Sequence, residues 1–289
     1  MVERLVHIEE VPGSNPGTTI EDLNPDDKII YHGTWLTFKF WRLDFLEFML
    51  KIGHRGAKAY APENTLASFK KALDLGVDMI EFDVQITEDK YPVVIHDKNL
   101  KRLAKKYGRV RKLTLAEVKK FKIRGSETVP TLAEVLDVVD NRVGLDIDLK
   151  VKGSAQIVIQ TLRDYKVDFN GIMICSNYAS EIRAAEKLEP EITTALLFRS
   201  VNVFSFWFVL DFLAILLLPL TMYYIRWLVG RANADYLCIN HHFLDQRKVA
   251  VFKRRGIKIC AWTVDSPKKI DYLKSLGIDG IITNYPDRL

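Results

Sequence analysis

Cysteine is scarce. The 289 residues hold three, Cys175, Cys238 and Cys260, each inside an apolar, strand-like run. An odd number at such positions gives no disulfide framework and fits reduced, buried thiols in a reducing compartment. The cysteines and the six histidines show no zinc-ligand spacing. The N-terminus, MVERLVHIEEVPG, carries charge where a secretion signal needs an apolar core, so no signal is expected. Low-complexity sequence is absent. No compact Lys/Arg run interleaved with aromatics suggests nucleic-acid binding, and nucleic acid is not an expected partner. Net charge is small: 42 Lys and Arg against 37 Asp and Glu leave +5, compatible with anionic substrates or lipid and diagnostic of neither.

What is abundant is apolar sequence, 48 % of the chain, enough for a full core. From Lys51 onward, strand and helix patterns alternate, which argues for parallel βαβ units. Strands are expected near Lys51–His54, Met79–Val84, Val143–Leu149, Gly171–Cys175, Thr193–Phe198, Tyr236–Ile239, Lys258–Val264 and Gly280–Thr283. These eight are enough to close an α/β barrel, which commonly runs near ~250 residues. Pro92–Ile95 reads as an extra hairpin strand. Thr114 with Glu117, and Thr131 with Glu134, have the spacing of helix capping boxes. Residues 1–50 form an extension whose later half is aromatic-rich, so the expected division is 1–50 and 51–289. Interleaved Lys39 and Arg42 make that half amphipathic, suited to an interface or to covering the barrel.

The stretch from Lys51 to Asp97 carries the chemistry. His54-Arg55-Gly56 ends one strand; Pro62-Glu63-Asn64 opens a helix from Thr65 to Leu75, which Gly76 stops. Strand side chains alternate, so Glu81, Asp83 and Gln85 share one face and Ile80, Phe82 and Val84 the other. Two converging carboxylates repel unless a cation lies between them, and Mg2+ or Ca2+ takes such oxygen ligands. The same alternation also fits the solvated face of an edge strand. His54, Arg55 and His96 nearby favour the site.

Gly53-His54-Arg55-Gly56, Pro62-Glu63-Asn64-Thr65, Glu81-x-Asp83-x-Gln85 and Val93-Val94-Ile95-His96-Asp97 occur in order. Together they resemble the signature of the glycerophosphodiester phosphodiesterase family. The resemblance implies a TIM barrel with a metal-dependent site. The family's usual Glu-x-Lys strand is matched by Asp148 and Lys150, with Asp one methylene shorter than Glu. The implied metal ligands are therefore Glu81, Asp83 and Asp148. Asp146 shares their face and reads as an outer or solvent-facing acid. Ala261-Trp262-Thr263-Val264 and Gly280–Pro286 also resemble family blocks, with Asn284 where Asp is usual. Trp262 is expected either along the pocket wall against the substrate's alcohol part or packed in the barrel. His241 and His242, adjacent and therefore expected to face different ways, are left outside the site.

The implied reaction is hydrolysis of a glycerophosphodiester to a glycerol phosphate and an alcohol. His54 and His96 would be the acid/base pair, suited to work near neutral pH. Arg55 and Lys150 would hold the phosphoryl oxygens. The resemblance further implies attack by a neighbouring substrate hydroxyl and a cyclic phosphate. The order of the two histidines is left open.

Residues 201–231 stand apart. Between Phe206 and Ile225 only Asp211 and Thr221 are plainly polar; Trp207, Tyr223, Tyr224 and Trp227 mark the ends, and Arg199, Arg226 and Arg231 flank them. The length could span a bilayer, but the segment joins neighbouring barrel strands, so both ends stay on one side. A re-entrant or interfacial insert on the active-site face is expected, with Leu220 to Arg231 serving as the crossover helix. The expected substrate is then a glycerophosphodiester of lysophospholipid type, at a membrane surface on the cytoplasmic side. A buried cap or a homo-oligomer contact is the other reading of the insert. Other readings of the function are a phospholipase of sphingomyelinase D or phosphoinositide type and a non-catalytic lipid-binding relative.

Overall fold

A computed structural model describes residues 30–31, 34–35 and 49–289, apart from 105–106, 125, 199–222, 224, 226 and 228. The chain divides into two units, Met1–Leu46 and Glu47–Leu289. The described part of the first is one short antiparallel ladder, Ile30–Tyr31 against Thr34–Trp35. The rest of the aromatic-rich extension lies outside the described residues.

The second unit is a closed parallel barrel. Its strands are β1 (Leu50–His54), β2 (Met79–Ile86), β3 (Gly144–Leu149), β4 (Ile172–Ser176), β5 (Thr193–Phe198), β6 (Tyr236–Asn240), β7 (Lys258–Trp262) and β8 (Gly280–Thr283). Each pairs with the next, and β8 pairs with β1 through Ile281↔Lys51 and Ile282↔Ile52, which closes the ring. All eight expected strands are present within a few residues of their expected limits. Pro92–Val94 is the expected extra strand, antiparallel to the end of β2.

Alternation along each strand builds the layers. Ile80, Phe82 and Val84 on β2 and Leu145, Ile147 and Leu149 on β3 point outward into one apolar layer shared with the surrounding helices. Each such side chain fully buried contributes about 1.5–3 kcal/mol. The opposite half of the ring has its own outer layer, including Leu237, Ile239, Ile259 and Ala261. The inward positions are smaller and softer at the bottom: Ile52, Met79, Met173, Cys175, Ala195, Cys238, Cys260 and Ile282. They become polar toward the strands' C-terminal ends. All three cysteines are buried free thiols.

The helices start where their caps stand. Thr114 and Thr131 each form a complete capping box with Glu117 and Glu134. Thr65 caps Leu66–Asp74 by accepting from the Ser68 N–H, and Gly76, at φ +67°, follows its end. Of residues 201–231, the described ones at 223, 225, 227 and 229–231 are helical, with Ile225 and Val229 buried in the outer layer and Tyr223 and Trp227 exposed. This is the crossover helix into β6 expected of that stretch. The longer apolar run ahead of it lies outside the described residues. Among the described residues no helix is long and apolar enough to cross a membrane.

Candidate active site

The ends of β1, β2, β3 and β7 converge on one cavity, lined by His54, Arg55, Glu81, Asp83, His96, Asp148, Lys150 and Trp262 among others. All eight residues expected from the sequence are thus brought together, 208 positions apart at the extremes, at the C-terminal end of the barrel where such folds carry their chemistry.

The turn after β1 is built for close approach. Arg55 and Gly56 both have positive φ, 53° and 83°. A Cβ on Gly56 would lie 2.7 Å from the Ser68 carbonyl carbon and oxygen, so only glycine fits. The turn lets the Arg55 N–H donate to Glu81 Oε2 at 2.8 Å. The Arg55 guanidinium donates to Glu63 Oε1 at 2.7 Å and lies 3.1 Å from Asp83 Oδ2. Asn64, also left-handed, donates its amide to Asp83 Oδ2 at 2.8 Å.

Glu81, Asp83 and Asp148 are buried, and one carboxylate oxygen from each lies within 4.8 Å of the others. Burial and the charge of Asp83 push Glu81 well up from the ordinary carboxylate range. Burial also pushes Asp148 up, against the pull of Lys150. Asp83 is held well below that range: burial opposes it, but Lys150 and Arg55 outweigh burial. Lys150 Nζ reaches Asp83 Oδ1 at 2.6 Å and also meets Asp148 Oδ2. Asp148 Oδ1 has no hydrogen-bond partner. Three crowded acids with only Lys150 and Arg55 beside them, and an orphaned oxygen, make a donor set short of positive charge. The set is all oxygen, which suits a hard divalent ion.

The two histidines are anchored differently. His54 Nδ1 lies 2.6 Å from Asn284 Oδ1. The Asn284 amide nitrogen donates to Asp265 Oδ2 at 2.6 Å and its backbone N–H to Asp265 Oδ1 at 2.9 Å. A carboxylate only accepts, so Asp265 takes the NH2 end and leaves the amide oxygen facing the ring. His54 Nδ1 therefore carries the proton and Nε2 is the ring's acceptor. Burial, helped by the Arg55 charge, lowers the His54 pKa to about 4. His96 Nδ1 instead lies 2.7 Å from Asp97 Oδ1, whose other oxygen accepts from Arg102 Nε at 2.6 Å. Burial lowers His96 too, while Asp83 and Asp97 pull it upward.

A model of the glycerophosphoryl diester phosphodiesterase family matches residues 54–288. The chain belongs to this family. The enzyme is 31 % identical over 255 residues to the glycerophosphodiester phosphodiesterase of Caldanaerobacter subterraneus, covering 83 % of this chain and 96 % of that one. Human glycerophosphodiester phosphodiesterase 1 is 29 % identical over 248 residues, covering 78 % and 74 %. A phosphodiesterase of Oleispira antarctica, solved with its product sn-glycerol-3-phosphate, superposes with a TM-score of 0.69 at 26 % identity, over 82 % of this chain and 93 % of that one. The chain is a glycerophosphodiester phosphodiesterase, and the family's need for a divalent metal agrees with the acidic cluster.

Two expectations are corrected. Asp146 does not face solvent: it is 1 % exposed, lines the cavity below Asp148, and neither carboxylate oxygen has a partner. Burial and the charge of Asp148 raise its pKa to about 8. The barrel interior has no solvated face, so alternation placed Asp146 inward with the others. His241 and His242 do not point apart. They lie in a single 3-10 turn after β6, with ring centroids 4.0 Å from each other, where strand alternation does not apply.

Sequence reasoning missed the residues that hold the site from outside. Glu63 accepts from Arg55, Lys58 and Arg102, tying the loop after β1 to the segment after β2. Burial pushes its pKa up, but the Arg102 hydrogen bonds and the charges of Arg55 and Lys58 bring it down to about 2. Asp265 acts on His54 only through Asn284. The signal was present at Asn284, where the usual acid is replaced by an amide; nothing in the local pattern pointed to Asp265.

Proposed function

We propose that this phosphodiesterase acts on lipid-like glycerophosphodiesters of the lysophospholipid type, with His54 as the first base and His96 as the first acid. The observation that carries the reading is the unlike anchoring of the two rings in one cavity. An amide oxygen leaves His54 neutral with Nε2 free to accept a proton. A carboxylate partner makes His96 the ring better able to hold one.

In the first half of the reaction, the glycerol hydroxyl beside the phosphate attacks phosphorus as His54 Nε2 takes its proton. The phosphorus–oxygen bond to the alcohol breaks and His96 gives its proton to the departing oxygen. The product is a cyclic phosphate. In the second half the roles reverse: His96 takes a proton from water, the water oxygen joins phosphorus, and His54 returns its proton to the glycerol oxygen as the ring opens. Glu81, Asp83 and Asp148 would hold a Mg2+ or Ca2+ ion. When bound, it would supply charge stabilisation for the phosphoryl oxygens. Arg55 and Lys150, already in the cavity, add fixed positive charge there.

The lipid part of the proposal is supported by the cavity's apolar side, Leu197, Trp262 and Ile282, and by exposed Tyr223 and Trp227 on the crossover helix. The apolar residues at 201–222 follow β5, whose Leu197 lines the cavity. Docking of that stretch on a cytoplasmic membrane face would bring lysolipid to the site. The test is product analysis with glycerophosphocholine and lysophosphatidylcholine, each with Mg2+ or Ca2+. Choline from both is expected. Choline from the soluble diester alone overturns the lipid preference, and release from neither overturns the whole reading.

The His54 anchor makes a pH prediction. With a pKa near 4, His54 stays an unprotonated base well into acid. Asp265→Asn combined with Asn284→Asp moves the carboxylate against the imidazole and keeps an amide behind it. An adjacent negative charge raises a histidine pKa by about one to three units. A raised pKa keeps the ring protonated to higher pH, so the acid limb of kcat/KM should shift upward by that amount. An unmoved limb would show that His54 is not the titrating base.

A further inference from the structure

The charge of this enzyme is concentrated in one place. Residues 98–124 hold twelve Lys and Arg against a single acid, Glu117, a net +11, while the whole chain carries +5. The remaining residues therefore total −6. The mild overall balance conceals a strongly basic segment on an acidic body.

The segment's position matters as much as its charge. It begins one residue after His96-Asp97, in the long excursion between β2 and β3 at the cavity end of the barrel. Its described residues Leu100, Val110, Val118 and Ile123 share a small core with Val93, Ile95 and Val129. It is fastened to the barrel by the Glu88 N–H to the Leu113 carbonyl and by Asp89 accepting the Leu115 N–H. Arg102 joins it to the site, holding Asp97 and Glu63 together. The apolar side chains turn inward, so the cations turn out. Lys98, Lys101, Arg109, Arg111, Lys112, Lys120, Lys122 and Arg124 are exposed, and none of them has an ion-pair partner among the described residues.

We infer that this basic excursion is an electrostatic docking surface for an anionic lipid bilayer. Lysine outnumbers arginine eight to four in the segment. Lysine is a hydrated point charge suited to a diffuse anionic surface, whereas arginine dominates where planar groups are read in pairs. Its one exposed large aromatic among the described residues is Tyr107, 75 % exposed, too few for a base-stacking platform. A dense, exposed group of lysines and arginines is the kind of surface that acidic phospholipid headgroups attract. The inference concerns where the enzyme sits and stands apart from the proposal about which diester it cleaves.

The test is sedimentation of the full chain with phosphatidylcholine vesicles containing or lacking phosphatidylserine, at low and high salt. Beside it runs the variant Arg109→Glu, Arg111→Glu, Lys112→Glu, Lys120→Glu. The parent chain is expected to bind at least about tenfold more to the phosphatidylserine vesicles, and salt should remove that difference. The variant should lose the difference and still cleave glycerophosphocholine at the parent rate, which separates a docking defect from a failed active site. Equal binding of the variant and the parent to the acidic vesicles would overturn the inference. So would a parent chain indifferent to phosphatidylserine, or one that an RNA oligonucleotide displaces from the vesicles while the variant binds no RNA; that last result would assign the surface to nucleic acid.

Discussion

His54→Ala should turn over glycerophosphodiesters about two to four decades more slowly than the parent chain, with an unchanged melting temperature. The size follows from the role. A positioned base that removes the attacking proton contributes that factor. Stability should be spared because His54 is only partly buried and its one side-chain hydrogen bond is to Asn284, which keeps Asp265 as a partner. His96→Ala should lose a similar factor for the opposite proton transfer. Because both rings serve one reaction coordinate, the double variant should be little slower than either single one. Initial rates on glycerophosphocholine with saturating metal, alongside thermal melts, check all three. A well-folded His54→Ala chain running near the parent rate would remove His54 from the mechanism.

Much of this architecture was legible in the sequence, and the reason is period. Eight strand-like runs, separated by helix patterns, leave few ways to close, and β2 and β3, the two that alternate plainly, came out with Glu81, Asp83 and Asp148 on the inner face as alternation requires. Alternation describes one strand at a time, however. The contacts that set the chemistry cross the ring: His54 to Asn284 spans 230 positions, and Arg102 to Glu63 spans 39. Those depend on barrel closure and on loops whose conformations no period encodes. Asp146 was misread because a polar residue in an alternating strand looks solvated until both faces are known to be buried. The basic excursion went unseen because a whole-chain charge of +5 averages it against an acidic remainder. In the 3-10 turn after β6, strand logic was applied one residue too far.

The other large effect is expected at Asp83, the acid with the most partners among the three clustered carboxylates. It is 1 % exposed and meets Asn64, Arg55 and Lys150. Asp83→Ala removes the acid from between two buried cations. Breaking a buried pair in this way costs about 3–5 kcal/mol, so a marked fall in melting temperature is expected. Asp83→Asn keeps the volume but not the charge, and its NH2 end faces groups that only donate. Arg55 still has Glu63, and Lys150 still has Asp148, so this variant should fold. It should bind Mg2+ or Ca2+ at least about a hundredfold more weakly, since a ligand matters at least as much as the groups that orient one. Calorimetry reads that loss directly. Melting temperature reads it independently: an ion that binds only the folded chain stabilises it by about 2.7 kcal/mol at a hundred times its Kd. The parent should therefore melt higher as metal is added, while Asp83→Asn should not respond over the same range. Equal metal affinity in the two chains would mean that Asp83 serves only to balance Lys150 and Arg55, and the ion would have to be held elsewhere.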